Sequence, residues 1–296
     1  MSETRVLTKR LSAGFAALAG ITWLLLIFGS TVRVHGAGLS CPDWPLCFGE
    51  VIPKLNFQVF LEWGHRVLAG SISVGGLVLG SLILSRRELR TRYWGHLSAL
   101  ALVLACQIVL GGLTVLKLLA YWSVTLHLLF GNLFMVLLIV LARRLSVWEA
   151  ASAPAAPPVL RGVGVAFAAA LALQMALGGL VSSNYAGLAC TEWPTCSGGV
   201  WFPTFTGIIG LQLSHRLGAY LLTGLAIALG ILAGRSGAFR WIYLLVGLVG
   251  MQIVLGILNV LGSMPVELAI AHAATAHAIV AATSVVLSSF FMRNPA

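Results

Sequence analysis

The sequence has very little charge. Only 9% of its 296 residues are Asp, Glu, Lys or Arg, whereas 59% are apolar. A soluble domain carries about 25% charged residues, because its surface must face water. The composition therefore excludes an ordinary soluble protein and indicates a chain that lies mostly in lipid.

Apolar runs of the length of a membrane span recur along the whole chain. About 20 apolar residues in a helix cross the hydrocarbon core of a bilayer. We count eight such runs, at 11–34, 60–85, 94–118, 122–142, 161–184, 208–233, 240–262 and 266–292. The sequence therefore predicts an all-α polytopic membrane protein with eight transmembrane helices.

Acidic residues are scarcer than basic ones, 8 against 18, which gives a net charge of +10. Of the 18 basic residues, 13 lie at the termini or near the span ends on the side of the termini: Arg5, Lys9, Arg10, Arg86, Arg87, Arg90, Arg92, Arg143, Arg144, Arg161, Arg235, Arg240 and Arg293. Basic residues concentrate on the cytoplasmic side of membrane proteins. Both termini are thus predicted to be cytoplasmic, and the charge requires no nucleic-acid partner.

The N-terminal segment lacks the marks of a removed targeting peptide. No small-residue cleavage pattern precedes His35, and the long Arg- and Ser-rich character of a transit peptide is missing. We expect the first span to be retained, in a bacterial inner membrane or an archaeal cell membrane.

The cysteines form no C-x-x-C motif. Four of the five lie in two C-x5-C pairs in the predicted outside loops, Cys41 with Cys47 and Cys190 with Cys196. Disulfides persist on that side of the membrane. Such a bridge either staples a loop that covers the outer end of the helices or relays electrons above a redox centre. Cys106 lies within a span, as a small apolar residue would.

The two cysteine loops belong to an internal duplication. Residues 34–47 recur as 183–196, 62–66 as 212–216 and 107–111 as 252–256, at offsets of 149, 150 and 145. Parallel repeats of this kind are related by an axis along the membrane normal. We expect two pseudo-symmetric four-helix bundles, at 1–148 and 161–296, joined by a Pro- and Ala-rich cytoplasmic linker at 149–160.

Each repeat carries two histidines near the outer ends of its second and fourth spans. They are His65 and His127 in the first copy, and His215 and His272 in the second. Two imidazoles at matching depth suit the axial positions of a haem iron. Alternatives are packed histidines with hydrogen-bond partners, a proton relay, or a zinc site. His277 competes with His272 as the fourth ligand, although it aligns with Asn132.

The copies differ beside the first of these histidines. Glu62 lies three residues before His65, on the same helix face, and its counterpart is Gln212. A carboxylate there could accept protons or stabilise positive charge during a reaction, or simply begin a helix near the interface. Arg66 and Arg216 follow the histidines, as partners for haem propionates or as interfacial residues whose charge reaches water.

These features together resemble the haem A synthase family, over essentially the whole chain. The resemblance rests on eight spans in two copies, Glu62-x-x-His65-Arg66 and the loop cysteines that precede it. It implies oxidation of the C8 methyl group of the substrate haem O to a formyl group, which makes haem A for terminal oxidases. It also implies candidate partners among haem O synthase and cytochrome oxidase assembly factors. Homo-oligomerisation stays open.

The resemblance also implies a role for each site residue. His65 and His127, with Arg66, would hold the substrate haem, and Glu62 would serve turnover. His215 and His272, with Arg216, would hold a haem b cofactor. A di-haem b-type electron-transfer cytochrome and a parallel-repeat transporter are the competing hypotheses. Electron transfer alone gives no reason for Glu62, and a transporter site is expected nearer the midplane of the membrane.

Overall fold

A computed structural model of the chain describes residues 3–146, 156–236 and 240–291. This part of the chain contains eight helices that are long and apolar enough to cross a membrane, which confirms the predicted fold class. Their bounds are α1 Glu3–Val34, α2 Phe57–Leu84, α3 Arg87–Leu116, α4 Tyr121–Ser146, α5 Pro158–Ser183, α6 Gly207–Ser236, α7 Arg240–Leu261 and α8 Val266–Phe291. The protein is a multi-pass membrane protein.

Local chemistry fixes where several helices begin and turn. The Asn56 side chain accepts a hydrogen bond from the Val59 N–H at 2.9 Å and so caps α2. Pro158 opens α5, where its missing N–H leaves no donor unpaired. Residues 149–155 of the predicted linker at 149–160 lie outside the described part of the chain. Helix α5 begins at Pro158, within the last part of the predicted linker.

The helices pack in two rings with the same order. In the first ring α1 contacts α2 and α4, and α3 contacts the same two helices. The second ring repeats this pattern with α5, α6, α7 and α8. In each ring, therefore, the second and fourth helices face each other diagonally across the bundle.

The rings meet through α4 and α8, which contact each other and are the most buried spans. α1 contacts α8, and its repeat equivalent α5 contacts α4, as a two-fold relation requires. Each half has its own apolar core, one around Leu138 in α4 and one around Phe167 in α5. These contacts are consistent with the two pseudo-symmetric bundles expected from the duplication.

At the junction between the rings, equivalent residues of the two copies touch one another. His277 in α8 donates a hydrogen bond from Nδ1 to Asn132 Oδ1 in α4 at 3.0 Å. Arg33 at the end of α1 donates from Nε to the hydroxyl of Ser182, its equivalent in α5, at 2.7 Å. A residue close to a pseudo-two-fold axis lies next to its own repeat equivalent. Both pairs therefore mark where that axis passes between the two bundles.

Candidate functional site

Four histidines mark the candidate site, and they lie near the helix ends that face the cysteine loops. His65 is on α2 and His127 on α4, so the two imidazole side chains come from diagonally opposed helices of one bundle. His215 on α6 and His272 on α8 repeat this arrangement in the second bundle. The structure thus brings the four predicted histidines together as two pairs.

Each histidine ring lies against a glycine of a neighbouring helix. A Cβ atom on that glycine would lie only 3.1 or 3.2 Å from the Cε1 atom of the ring. The four pairs are Gly29 with His65, Gly111 with His127, Gly178 with His215, and Gly256 with His272. These four seat glycines therefore set how closely each imidazole approaches the helix beside it.

Glutamine side chains contact three of the four rings. The amide nitrogen of Gln107 lies 3.4 Å from His127 Nε2, and that of Gln252 lies 3.1 Å from His272 Nε2. Since Gln107 and Gln252 are repeat equivalents, this contact is part of the shared scaffold. The third glutamine, Gln174, lies 3.1 Å from His215 Nδ1 and belongs to the second copy alone.

The histidine chemistry fits an iron porphyrin held by two imidazoles. The Nδ1 atoms of His65, His127 and His272 are buried without a hydrogen-bond partner, which is costly for a polar atom unless a ligand completes it. All four side chains are half-buried, so each ring keeps surface that a bound group could cover. In the described residues no three His, Cys, Asp or Glu side chains converge, as a protein-bound zinc ion would need.

The cysteine pairs predicted from the sequence are joined. Cys41 bonds to Cys47 and Cys190 to Cys196, and all four side chains are almost completely buried. Cys106 is a free thiol. Each disulfide closes a short loop over the end of its bundle at which the histidines lie.

An acidic side chain organises each disulfide loop. Asp43 accepts hydrogen bonds from the N–H groups of Phe48 and Gly49, both at 2.7 Å. These backbone donors, Gly49 first, lower the pKa of Asp43. The N–H of Gly199 and the Thr195 hydroxyl likewise lower the pKa of Glu192, its equivalent. Both acids thus have a structural task within the loop.

The arginines after the histidines hold these loops to the helices. Arg66 donates from Nη1 to the carbonyl oxygens of Asp43 at 2.8 Å and Leu46 at 2.5 Å. Arg216 donates to the carbonyls of Glu192, at 2.9 Å, and Thr195, at 3.0 Å, which are the equivalent loop positions. The predicted contact with haem propionates stays a prediction; the structure gives both guanidinium groups partners in the loops.

Glu62 and Gln212 also contact the loops, but with opposite chemistry. The Glu62 carboxylate accepts the Cys41 N–H at 2.8 Å and pairs with Arg66 at 2.6 Å. Gln212 instead donates to the Gly187 carbonyl at 3.1 Å, and its own oxygen is buried without a partner. The first bundle therefore has a buried negative charge at a position where the second has a neutral amide.

The first loop also reaches the helix that carries a seat glycine. The indole of Trp44 lies so close to Gly112 that a Cβ atom there would be 3.1 Å away. Gly112 follows Gly111, the seat of His127, so the loop covers the bundle directly beside that histidine. Ile257 replaces Gly112 in the second copy, and the close indole contact belongs to the first bundle.

His277 lies apart from the histidine pairs. Its ring is 1% exposed and bonds to Asn132 across the junction between the rings. His272, in contrast, repeats both contacts of His127, with a seat glycine and with a glutamine. The repeat equivalence with Asn132 noted in the sequence corresponds to a direct contact.

Sequence reasoning missed the seat glycines and the glutamines as functional residues. Gln107 and Gly111 are the two ends of one repeated segment, and Gln252 and Gly256 are the ends of its copy. Their recurrence at the same distance from a histidine was the available signal. Gln174 gives no such signal, because Leu25 is its equivalent.

Comparison with known proteins adds an independent line of evidence. The family described as cytochrome oxidase assembly protein, COX15-CtaA, matches residues 14–284. A protein of Shewanella oneidensis named "Heme A synthase" is 28% identical over 293 residues, covering 85% of this chain and 88% of its own. Another of the same name, from Shouchella clausii, is 35% identical and covers 70% of this chain and 71% of its own. A third, from Symbiobacterium thermophilum, is 31% identical over 232 residues, 75% of this chain and 74% of its own.

Proposed function

The chain belongs to the COX15-CtaA family of cytochrome oxidase assembly proteins, and from this premise we propose that it is a haem A synthase. It is an oxidoreductase that converts the C8 methyl group of haem O into the formyl group of haem A, by successive hydroxylations and loss of water. The names of its relatives support this activity. Haem O is its substrate, and terminal oxidases are the destination of its product.

One observation supports the roles that we assign to individual residues. The two bundles have equivalent histidine pairs, but only the first bundle has a carboxylate beside its pair. His65 and His127 hold the substrate haem, and Glu62 is the residue that serves its oxidation. The seat glycines of both rings, Gly29 and Gly111, support this pairing. A protein that only transferred electrons between equal haems would have no use for the difference.

In the second bundle, His215 and His272 would hold the resident cofactor, haem b. When bound, haem b supplies one-electron oxidation and reduction. We choose His272 over His277 because His272 shares the glycine and glutamine contacts of His127, whereas His277 is engaged with Asn132. The 1–148 and 161–296 halves are accordingly a catalytic unit and a cofactor unit.

Glu62 acts from a fixed position at the top of the first bundle. Its carboxylate is 5% exposed and held by an N–H donor and the Arg66 guanidinium, so its negative charge is compensated on the loop side. A charge held in a dry site acts strongly on a neighbouring group. It stabilises positive charge that develops on the substrate or accepts a proton from it.

The loops lie outside the cell membrane and the termini in the cytoplasm. The even number of described spans supports a topology with both termini on one side and both disulfide loops on the other. The concentration of basic residues on the side of the termini supports the orientation. The disulfides staple the loops against Arg66 and Arg216, and haem O synthase and oxidase assembly factors are the partners that this function requires.

The test is haem conversion in a host that makes haem O but no haem A. Expression of the chain should yield haem A, or its hydroxymethyl precursor, in extracted haems separated by chromatography. Glu50→Gln is a suitable control for Glu62→Gln, because Glu50 is an exposed carboxylate of the disulfide loop that Glu62 contacts. Persistence of haem O alone, with the protein present and haem bound, would favour the electron-transfer cytochrome instead. A protein with no haem absorption would favour the transporter.

A further inference from the structure

Both disulfide loops expose large apolar side chains after their second cysteine. We call these two sets the loop tips, and their members are Val51, Ile52 and Leu55 in the first loop and Trp201, Phe202 and Phe205 in the second. Each of the six side chains is between 52% and 75% exposed. Apolar side chains that are exposed together mark a surface that meets lipid or another protein.

The segments that contain the loop tips carry almost no charge. Residues 197–208 contain no Asp, Glu, Lys or Arg, and residues 48–57 contain only Glu50 and Lys54. A loop that lies in water is normally polar. Lys54 is compatible with an apolar surface, because a lysine can lay its stem along that surface and keep its charge in water. The composition therefore favours a lipid boundary over bulk water.

The first loop tip lies beside an exposed stripe of α2. Phe60, Val67 and Val74 are all exposed and recur every seven residues, which is about two helical turns, so they lie on one side of the helix. In a membrane-spanning helix such an apolar stripe faces lipid. The indole N–H of Trp63 donates to the Val51 carbonyl at 2.8 Å and so holds the tip against the first turns of α2.

The second loop tip approaches α6 across the equivalent face. Gly210 aligns with Phe60, and a Cβ atom on Gly210 would lie 2.2 Å from the carbonyl group of Phe205. The Phe205 backbone therefore occupies space that a side chain fills in the first copy. Phe202 stacks on Phe205, with ring centroids 5.9 Å apart, and Leu217 continues the exposed stripe seven residues after Gly210. Both tips thus adjoin the face of a span that meets lipid.

The irregular backbone of the tips limits how deep they can lie. Backbone N–H and C=O groups without partners are not tolerated against lipid in the hydrocarbon core. At the boundary between headgroups and acyl chains, where water still reaches the backbone, apolar segments insert by about 5–10 Å. Tryptophan, here Trp201, is enriched at that depth.

We propose that the two loop tips insert into the leaflet on the side of the disulfide loops, at the boundary between headgroups and acyl chains. The partner is the phospholipid surface itself. Each disulfide loop is then fixed at two places, to its helix by Arg66 or Arg216 and to lipid by its tip. The inference goes beyond the proposed function and does not depend on which haem either bundle holds.

The test places a photoreactive side chain at each tip. p-Benzoylphenylalanine, which cross-links to nearby C–H bonds on irradiation, replaces Ile52 or Phe202 in the whole chain, reconstituted in vesicles of phosphatidylethanolamine and phosphatidylglycerol. Mass spectrometry measures the yield of lipid adduct. We expect both yields to approach that from Val74, on the exposed stripe of α2, and to exceed several-fold that from Thr191, an exposed polar residue of the second disulfide loop.

Two outcomes of this experiment would overturn the inference. Adduct yields at Ile52 and Phe202 as low as at Thr191 would place the tips in water. Cross-links to a second copy of the chain, in place of lipid, would make the tips a protein interface. Either outcome leaves the proposed function standing, because haem conversion is measured separately.

A charge variant provides a second measurement. Val51→Asp with Ile52→Asp should lower the lipid adduct formed from a photoreactive side chain at Leu55, because charged groups are costly to move out of water. Val51→Leu with Ile52→Leu keeps the tip apolar and should leave that yield unchanged. An equal yield from the aspartate and leucine variants would contradict insertion of the first tip.

Discussion

The two halves of the molecule share a scaffold almost contact for contact. In each, a disulfide loop is organised by an acid, held by an arginine, and placed above two histidines that rest on glycines. We propose that these repeated contacts hold a flat, apolar ligand with a metal at its centre in each half. Because both halves share them, they do not account for oxidation of the substrate in one half only.

Some of the positions that fail to repeat lie next to the histidines. Gln212 occupies the position equivalent to Glu62 in the second copy, and Gln174 and Gly218 occupy those equivalent to Leu25 and Leu68. The first bundle has a buried carboxylate at a position where the second has a neutral amide. We propose that this difference separates a reacting half from a holding half.

Removing one histidine from each half should give the largest contrast. His215→Ala should leave the purified protein with almost no haem b, because an axial ligand of the resident haem is gone. His65→Ala should keep haem b and lose haem A formation. Pyridine haemochrome spectra give the haem content, and extracted haems give the product. Equal haem loss in both variants would mean that the halves are not specialised as proposed.

Making the first half resemble the second at a single position should abolish chemistry and keep the haem. Glu62→Gln preserves shape and removes the charge, and we expect haem A formation to fall about 100-fold or more, the range of positioned acid–base groups. Haem b content should stay at the wild-type level. The exposed Glu50→Gln should convert haem O normally. Normal conversion in Glu62→Gln as well would deny the carboxylate its catalytic role.

The seat glycines offer a smaller and graded comparison. Gly29→Ala brings a Cβ atom to 3.1 Å from His65, so the ring must shift by a few tenths of an ångström. We expect haem A formation to drop roughly three- to tenfold, since positioning errors are costly at a reacting centre. Gly178→Ala should instead alter the spectrum of bound haem b. Gly20→Ala on α1, where the space is open, serves as the control.

The smallest effect concerns the loops, and here the halves should behave alike. Both Asp43 and Glu192 have a lowered pKa, so the stability that they give their loops is complete above the ordinary carboxyl pKa. It is lost only as the pH falls below about 4. Hydrogen exchange of peptides from the two loops, corrected for intrinsic rates, should show protection at pH 5 to 7 and its loss below about pH 4. Loss of protection near pH 6 would contradict this account.

The number and approximate positions of the helices could be predicted from the sequence, because an apolar run long enough to cross a bilayer has few other stable structures. The positions of the helix ends on the side of the chain termini were harder to predict. α1 begins at Glu3 and α3 at Arg87, each about two turns before the apolar run that predicts it. Charged residues such as Arg, Lys and Glu are good helix formers, so a helix continues into the headgroup region after the hydrocarbon has ended.

The site was predictable where the copies agree and unpredictable where contact depends on packing. The histidine pairs and the disulfides follow from repeated spacing. The partners of Arg66 do not, because the loop carbonyls that it binds are defined only once the chain has turned back over α2. Gln174 is a polar residue among apolar ones until its distance from His215 is known.

The contact between Asn132 and His277 has a consequence for how the halves recognise each other. In a pair of identical chains, a residue on the two-fold axis would always meet its own kind. Within a single chain the same position is free to become a complementary couple, here a ring donor on one helix and an amide acceptor on the other. Arg33 and Ser182 form a second unlike couple of this type. The two copies thus differ also where they contact each other, and each contributes a side chain that complements the one on the other.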